Sequence, residues 1–181
     1  MAKENKTSGL DITEAAIKFT KLNDSRMKRW DKTLKITDDD QAKIKSFNQP
    51  ITWLVISESW CGDSAHILPV LNKIAEMNGH IDLKIVFRDK NPHLMDMFLT
   101  YGNNAIPKLI IIDKLSEDVL TTYGPRPSIA TEYVNRFKAM HGKLTPEFKQ
   151  DLQHWYNNNK GQNIIDDIVE VLCDLEPIVC Q

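Results

Sequence analysis

Four short apolar runs stand among longer stretches whose apolar residues recur at helical spacing. Residues 51–56, Ile-Thr-Trp-Leu-Val-Ile, form an apolar run suited to a buried strand. Residues 83–87, 108–112 and 119–123 read as three further strands, and the polar turn over 114–118 joins the last two as a hairpin. A first helix is expected over 11–31, where Asp11 and Glu14 have capping-box spacing and Ala15, Phe19, Leu22 and Trp30 supply an apolar stripe. Thr37 is placed to cap a second helix, with Asp38, Asp39 and Asp40 set against its positive N-terminal end. A third helix should run from the segment after residue 60 to about Asn78, with Ile67, Leu71, Ile74 and Ala75 inward, Pro69 kinking it and Gly79 ending it.

Asn91 and Pro92 give a cap followed by proline at the first helical position, predicting a helix up to Tyr101 and a stop at Gly102. Ser128 should cap a helix carrying Ile129, Tyr133, Val134 and Phe137. Thr145 and Pro146 open another with Phe148, Leu152 and Trp155 on one side. After a loop over 157–163, a last helix places Ile164, Ile168, Val171 and Leu175 in a stripe and stops at Pro177. Up to Gly142 the order β-α-β-α-β-β-α is neither a pure α/β alternation nor an all-β pattern.

Composition adds exclusions. A chain of 181 residues, 41% hydrophobic and 27% charged, has material for one globular core with extensions. The net charge of −2 gives no electrostatic case for nucleic acid or an anionic membrane. No apolar run approaches the roughly 18 residues of a membrane span, and the polar start does not resemble a secretory signal, so a cytoplasmic location is expected. Three cysteines, Cys61, Cys173 and Cys180, are too few for a disulfide scaffold and lack zinc-ligand spacing; in a reducing compartment they are expected as thiols. The five histidines have no ligand spacing and are read as surface or structural residues, and no metal site is expected.

The chemistry gathers at Trp60, Cys61, Gly62, Asp63 and Ser64, which follow the first strand and open the third helix. A cysteine there faces unpaired backbone N–H groups and the positive end of the helix dipole, both of which favour the attacking thiolate. With Pro69 eight residues after Cys61, Asp89, Lys90, Asn91 and Pro92 after the second strand, and Ile106 and Pro107 before the third, the set resembles thioredoxin. The Trp-Cys-Gly-Asp run together with Gly124, Pro125, Arg126 and Pro127 resembles a bacterial-type thioredoxin-like branch. The resemblance spans about residues 48–142. It implies an α/β thioredoxin-like fold with a central four-stranded mixed sheet flanked by helices. The expected organisation is an N-terminal helical extension (1–47), the thioredoxin-like domain (48–142), and a C-terminal helical extension (143–181) packed on that domain.

The resemblance also implies roles. Cys61 is the attacking thiol, and Trp60, Gly62, Asp63, Ile106, Pro107 and Arg126 border the substrate groove. Gly62 would let a substrate backbone approach, and a cis bond between Ile106 and Pro107 would free the Ile106 backbone for β-type pairing. Arg126 would favour the thiolate, bind a small thiol's carboxylate, or pair with Asp63. Departures from thioredoxin narrow the chemistry. Ser64 stands where the second cysteine belongs; its hydroxyl can hydrogen-bond the Cys61 thiolate but cannot resolve a mixed disulfide. Val55 replaces a buried acid, and Asp63 adds a negative charge near the thiol.

The functional expectation is therefore a thioredoxin-like thiol–disulfide exchange protein of C-x-x-S type. It would form mixed disulfides with protein or small-thiol substrates and lack ordinary dithiol reductase activity. No resident cofactor is expected, glutathione or a similar thiol is a candidate co-substrate, and Cys173 and Cys180 are candidate resolving thiols. Monothiol glutaredoxins, which hold iron–sulfur clusters, share Cys-Gly-x-Ser, but this chain lacks their glycine pair after the cis-proline strand. The alternative is a non-catalytic thioredoxin-fold binding or scaffold module.

Overall fold

The computed structural model describes residues 14–180. Its elements are helices α1 (Glu14–Thr33) and α2 (Asp38–Ser46), strand β1 (Ile51–Ser57), α3 (Ser64–Met77), β2 (Ile81–Phe87) and α4 (Pro92–Met97). These are followed by β3 (Lys108–Asp113), β4 (Val119–Tyr123), α5 (Ser128–His141), α6 (Pro146–Asn159) and α7 (Gln162–Leu175). Short 3₁₀ turns cover Arg88–Lys90 and Pro177–Cys180. The sheet order is β2-β1-β3-β4, with β1 and β2 parallel and the other pairs antiparallel. This is the mixed four-stranded arrangement that the resemblance implies.

Strand alternation divides the core between two faces. Ile51, Trp53, Val55, Leu109 and Ile111 point to a large cluster built with α2, α3, α5, α6 and α7, in which Phe47, Leu71, Phe148 and Ile168 are buried. The opposite face is smaller: Ile56 and Ile110 meet Met95 of α4, Ile106 and Cys61. Both helical extensions share the large cluster with the residues between them. The thiol belongs to the small one.

The expected caps Thr37 and Thr145 do cap, accepting from the backbone N–H groups of Asp40 and Phe148. The expected Asp11 cap lies outside the described residues. Other expectations need correction. In α1 the inward face carries Asn23, 2% exposed, and Trp30, 3% exposed, whereas Phe19 and Leu22 are about half exposed at 51% and 45%. Helix α4 stops at Met97; the chain then folds into a tight turn in which Thr100 and Asn103 bridge, with Tyr101 and Gly102 at positive φ. Ser128 is not a cap, because its N–H and hydroxyl donate to Asp167 of α7 and Pro127 precedes the helix. The loop expected over 157–163 shrinks to Lys160 and Gly161, whose left-handed backbone reverses the chain directly between α6 and α7.

The cysteine expectation is corrected too. Cys173 and Cys180 are bonded to each other across a Cα–Cα distance of 5.5 Å, because the 3₁₀ turn after α7 folds back on that helix. Cys173 packs against the large cluster, away from the cluster that holds Cys61. As they stand, neither sulfur is a thiol free to resolve a bond to Cys61.

Candidate active site

Buried β1 ends at Ser57, and the chain turns through residues 58–60 before entering α3. The Cys61 N–H donates to the Glu58 carbonyl at 3.1 Å, closing that turn. Glu58 is itself 8% exposed, and its carboxylate accepts from the Asp89 N–H at 2.9 Å, tying the turn to the segment after β2. Burial raises the Glu58 pKa above the ordinary carboxylate range.

Helix α1 holds the same turn from the other side. The Asn23 side-chain amide donates to the carbonyls of Ser59 at 2.9 Å and Cys61 at 3.1 Å, and its oxygen accepts from Arg26 at 2.9 Å. Nothing in the sequence marks Asn23, since an isolated asparagine on an amphipathic helix ordinarily faces water. Replacing it by alanine leaves two carbonyls without these donors and should cost about 1–3 kcal/mol. Urea unfolding of the Asn23→Ala variant checks this, and a midpoint equal to the parent's would show that the clamp contributes nothing.

Cys61 is 8% exposed, and its thiol donates to the Ile106 carbonyl at 3.4 Å. The Ile106–Pro107 bond is cis, and the loop before β3 lies directly against the sulfur. Burial pushes the Cys61 thiol up, and the charge of Asp63 pushes it the same way. The Ser64 hydroxyl and the N–H groups of Ser64 and Asp63 pull it down, but burial prevails. The helix terminus is thus present without the depressed thiol pKa expected of it. Ser64, 1% exposed, accepts from the Ser57 hydroxyl at 2.8 Å, which leaves its own proton free.

Asp63 precedes α3 but caps nothing with its side chain. One carboxylate oxygen meets Arg126 at 2.6 Å and the other accepts from the Tyr156 hydroxyl at 3.0 Å. Of the roles open to Arg126 in the sequence, pairing with Asp63 is the one observed. Burial raises the Asp63 pKa against the pull of Arg126 and Tyr156, and the Tyr156 phenol is raised well above its ordinary value by burial and by Asp63. Tyr156 stacks on His66 with ring centroids 4.2 Å apart. His66 Nδ1 accepts from the Trp30 indole at 3.0 Å, so Nε2 carries the proton and donates to Gln153 at 2.9 Å. One buried imidazole therefore joins α1, α3 and α6.

Trp60 packs beside the small cluster with the Arg88 guanidinium 5.0 Å from its ring centroid. A groove of about 560 Å³ opens over the motif between α1 and α6, lined by Phe19, Arg26, Trp60, Asp63, Arg126 and Lys149 among others. Gly62 is among the residues that line it, and a β-carbon there would meet only Arg26 and Gln153 side-chain atoms at 3.8 Å, an ordinary contact. Gly124 has the tighter constraint. At φ +104° a β-carbon would fall 2.4 Å from the Pro107 carbonyl oxygen, so only glycine lets the β4–α5 loop lie against the cis-proline loop.

A family model described as thioredoxin matches residues 9–140. The chain belongs to that thioredoxin family. The match begins well before β1 and so includes α1 and α2 as well as the sheet. None of the curated proteins compared is a match. Among solved structures, a protein of unknown function from Pseudomonas aeruginosa superposes with a TM-score of 0.66 at 17% identity, covering 83% of this chain and 84% of its own. An HIV epitope-scaffold protein gives 0.63 at 16% identity, covering 86% and 90%. At such identities these likenesses bear on the fold alone. Each covers more than four-fifths of this thioredoxin-family chain. Among the described residues no cluster of histidine, cysteine, aspartate and glutamate could hold a metal ion, and no helix is long and apolar enough to cross a membrane.

Proposed function

We propose that this thioredoxin-family protein is a thiol–disulfide exchange module working through Cys61 alone. The observation that carries the reading is the placement of a free thiol at the start of α3 in contact with the Ile106 carbonyl of the cis-proline loop. In the forward step Cys61 loses its proton to solvent and its sulfur attacks a substrate disulfide. A Cys61–substrate S–S bond forms, the substrate S–S bond breaks, and one substrate sulfur leaves as thiolate. Ser64 cannot attack in turn, so release needs a second thiol from outside the chain, small or protein-borne. That thiol takes the substrate sulfur into a new disulfide and returns Cys61 as a thiolate. Ordinary dithiol reductase activity is not expected.

The raised Cys61 pKa fixes the pH dependence. Less thiolate exists at pH 7 than on a free thiol, so alkylation should be slower than that of a free thiol, with pKa about 8.5, and should level off at a higher pH. Asp63→Asn removes the charge that opposes ionisation and should speed labelling at pH 7. Mass spectrometry of the full chain with an excess of an aromatic disulfide should show one adduct, lost in Cys61→Ser. A profile that levels off below the free-thiol value would contradict the account of the site. Absence of any adduct would defeat the exchange reading.

The same burial favours a second reading, a thioredoxin-fold binding module in which Cys61 is a packed core thiol. An unreactive Cys61 in a fully folded chain is the outcome that selects it.

A further inference from the structure

A second groove flanks the cis-proline loop, reaching Ala105, Lys108 and Gly124. It measures about 850 Å³ and is bounded by residues 99–105, the Gly124–Arg126 turn and the exposed side of α5. Its charged lining residues are Lys108, Lys138 and Arg126, and no carboxylate is among the residues that line it. Thr100, Asn103, Thr131 and Asn135 add hydroxyl and amide groups to the same wall.

Lys108 gives this groove its meaning. It opens β3 and is only 7% exposed, yet its ammonium has a single described partner, the Thr100 hydroxyl at 3.3 Å. An ammonium brings three donors, and a buried cation is costly unless paired. No salt bridge is formed by Lys108 or Lys138 among the described residues. Burial lowers the Lys108 ammonium pKa, as expected of a cation lacking its counter-ion. Packing alone does not account for a buried Lys108 ammonium and an unpaired Lys138 on one concavity that no acid lines.

We propose that this groove binds a small multivalent oxyanion, with Lys108 as its buried anchor and Lys138 at the rim. Its volume lies within the range of small-molecule sites and exceeds what a single inorganic ion fills, so the anionic group is expected on a larger metabolite. The amides of Asn103 and Asn135 suit its neutral polar parts. The site stands independently of thiol exchange, because none of these contacts involves Cys61.

The test is an NMR titration of the full reduced chain at fixed ionic strength, with citrate as the carboxylate probe and pyrophosphate as the phosphate probe. Saturable shifts confined to residues 99–108, 124–126 and 131–138 are expected from at least one probe, and which one binds identifies the oxyanion class. Lys108→Met keeps the buried aliphatic stem and should weaken binding roughly tenfold, the loss of one charge-assisted hydrogen bond. Lys138→Gln, on the exposed rim, should weaken it about threefold with no effect on folding, which covers the case of an unfolded Lys108 variant. Neither probe saturating below about 20 mM, or affinities unchanged in both variants, overturns the proposal. Cys61→Ser should bind the probes normally, separating this site from the thiol reading.

Discussion

Acidifying the protein from pH 6.5 to pH 4 is expected to remove about 3 kcal/mol of stability through His66 alone. Burial holds this imidazole neutral, lowering its pKa from 6.5 to about 4. Above pH 6.5 both the folded and unfolded chains carry it neutral, and its contribution is fully present. Between 6.5 and 4 the unfolded chain takes up a proton that the folded one refuses, so stability falls with pH at about 1.4 kcal/mol per unit. His66 is fully buried, and the hydrogen bonds to Trp30 and Gln153 fix a single tautomer. A protonated Nδ1 would confront the Trp30 N–H donor to donor. In His66→Gln the slope over this interval should largely vanish, although the variant loses stability at pH 7. Denaturant titrations of both proteins at several pH values measure it, and equal slopes would remove His66 as the cause.

The second large effect is expected at Gly124. Alanine there must hold φ near +104° and place its β-carbon against the Pro107 carbonyl oxygen, which is backbone and cannot swing aside. The combined strain and clash should cost about 3 kcal/mol. Gly79→Ala is the matched control: its φ is not positive, nothing lies within 4 Å of the added carbon, and the change should stay within about 0.5 kcal/mol. Thermal or urea unfolding compares them. If the Gly124 variant retains parental stability, the two loops are not held together as described.

The sheet was legible because its strands are short apolar runs bounded by polar turns; β1, β3 and β4 fall within a residue of their expected limits. Thr37 and Thr145 were legible for another reason, since a hydroxyl before an acidic or proline-led turn has one efficient use. The cysteine motif and the proline before β3 carry local signatures, and the structure brings them into contact. The layer around them had no such signature. Apolar periodicity nominates Phe19 and Leu22 for the inner face of α1, but the face that packs is chosen by Asn23 and Trp30, which find hydrogen-bond partners at Ser59, Cys61 and His66. Hydrophobicity does not register partners that arrive from distant segments. The end of α4 was missed similarly, because the bridged turn between Thr100 and Asn103 competes with continued helix. Local placement gave the dipole argument for a low thiol pKa; burial against Ile106 and the charge of Asp63 reverse it.

The hold of Asn23 on two motif carbonyls makes Cys61 poorly portable. A graft of the five residues from Trp60 to Ser64 onto another thioredoxin scaffold would transfer a cysteine and a serine. It would leave behind the asparagine on α1 and the tyrosine on α6 that set where the loop sits and how Asp63 is charged. The unit on which selection can act without disturbing the thiol is therefore the motif together with both of those helices.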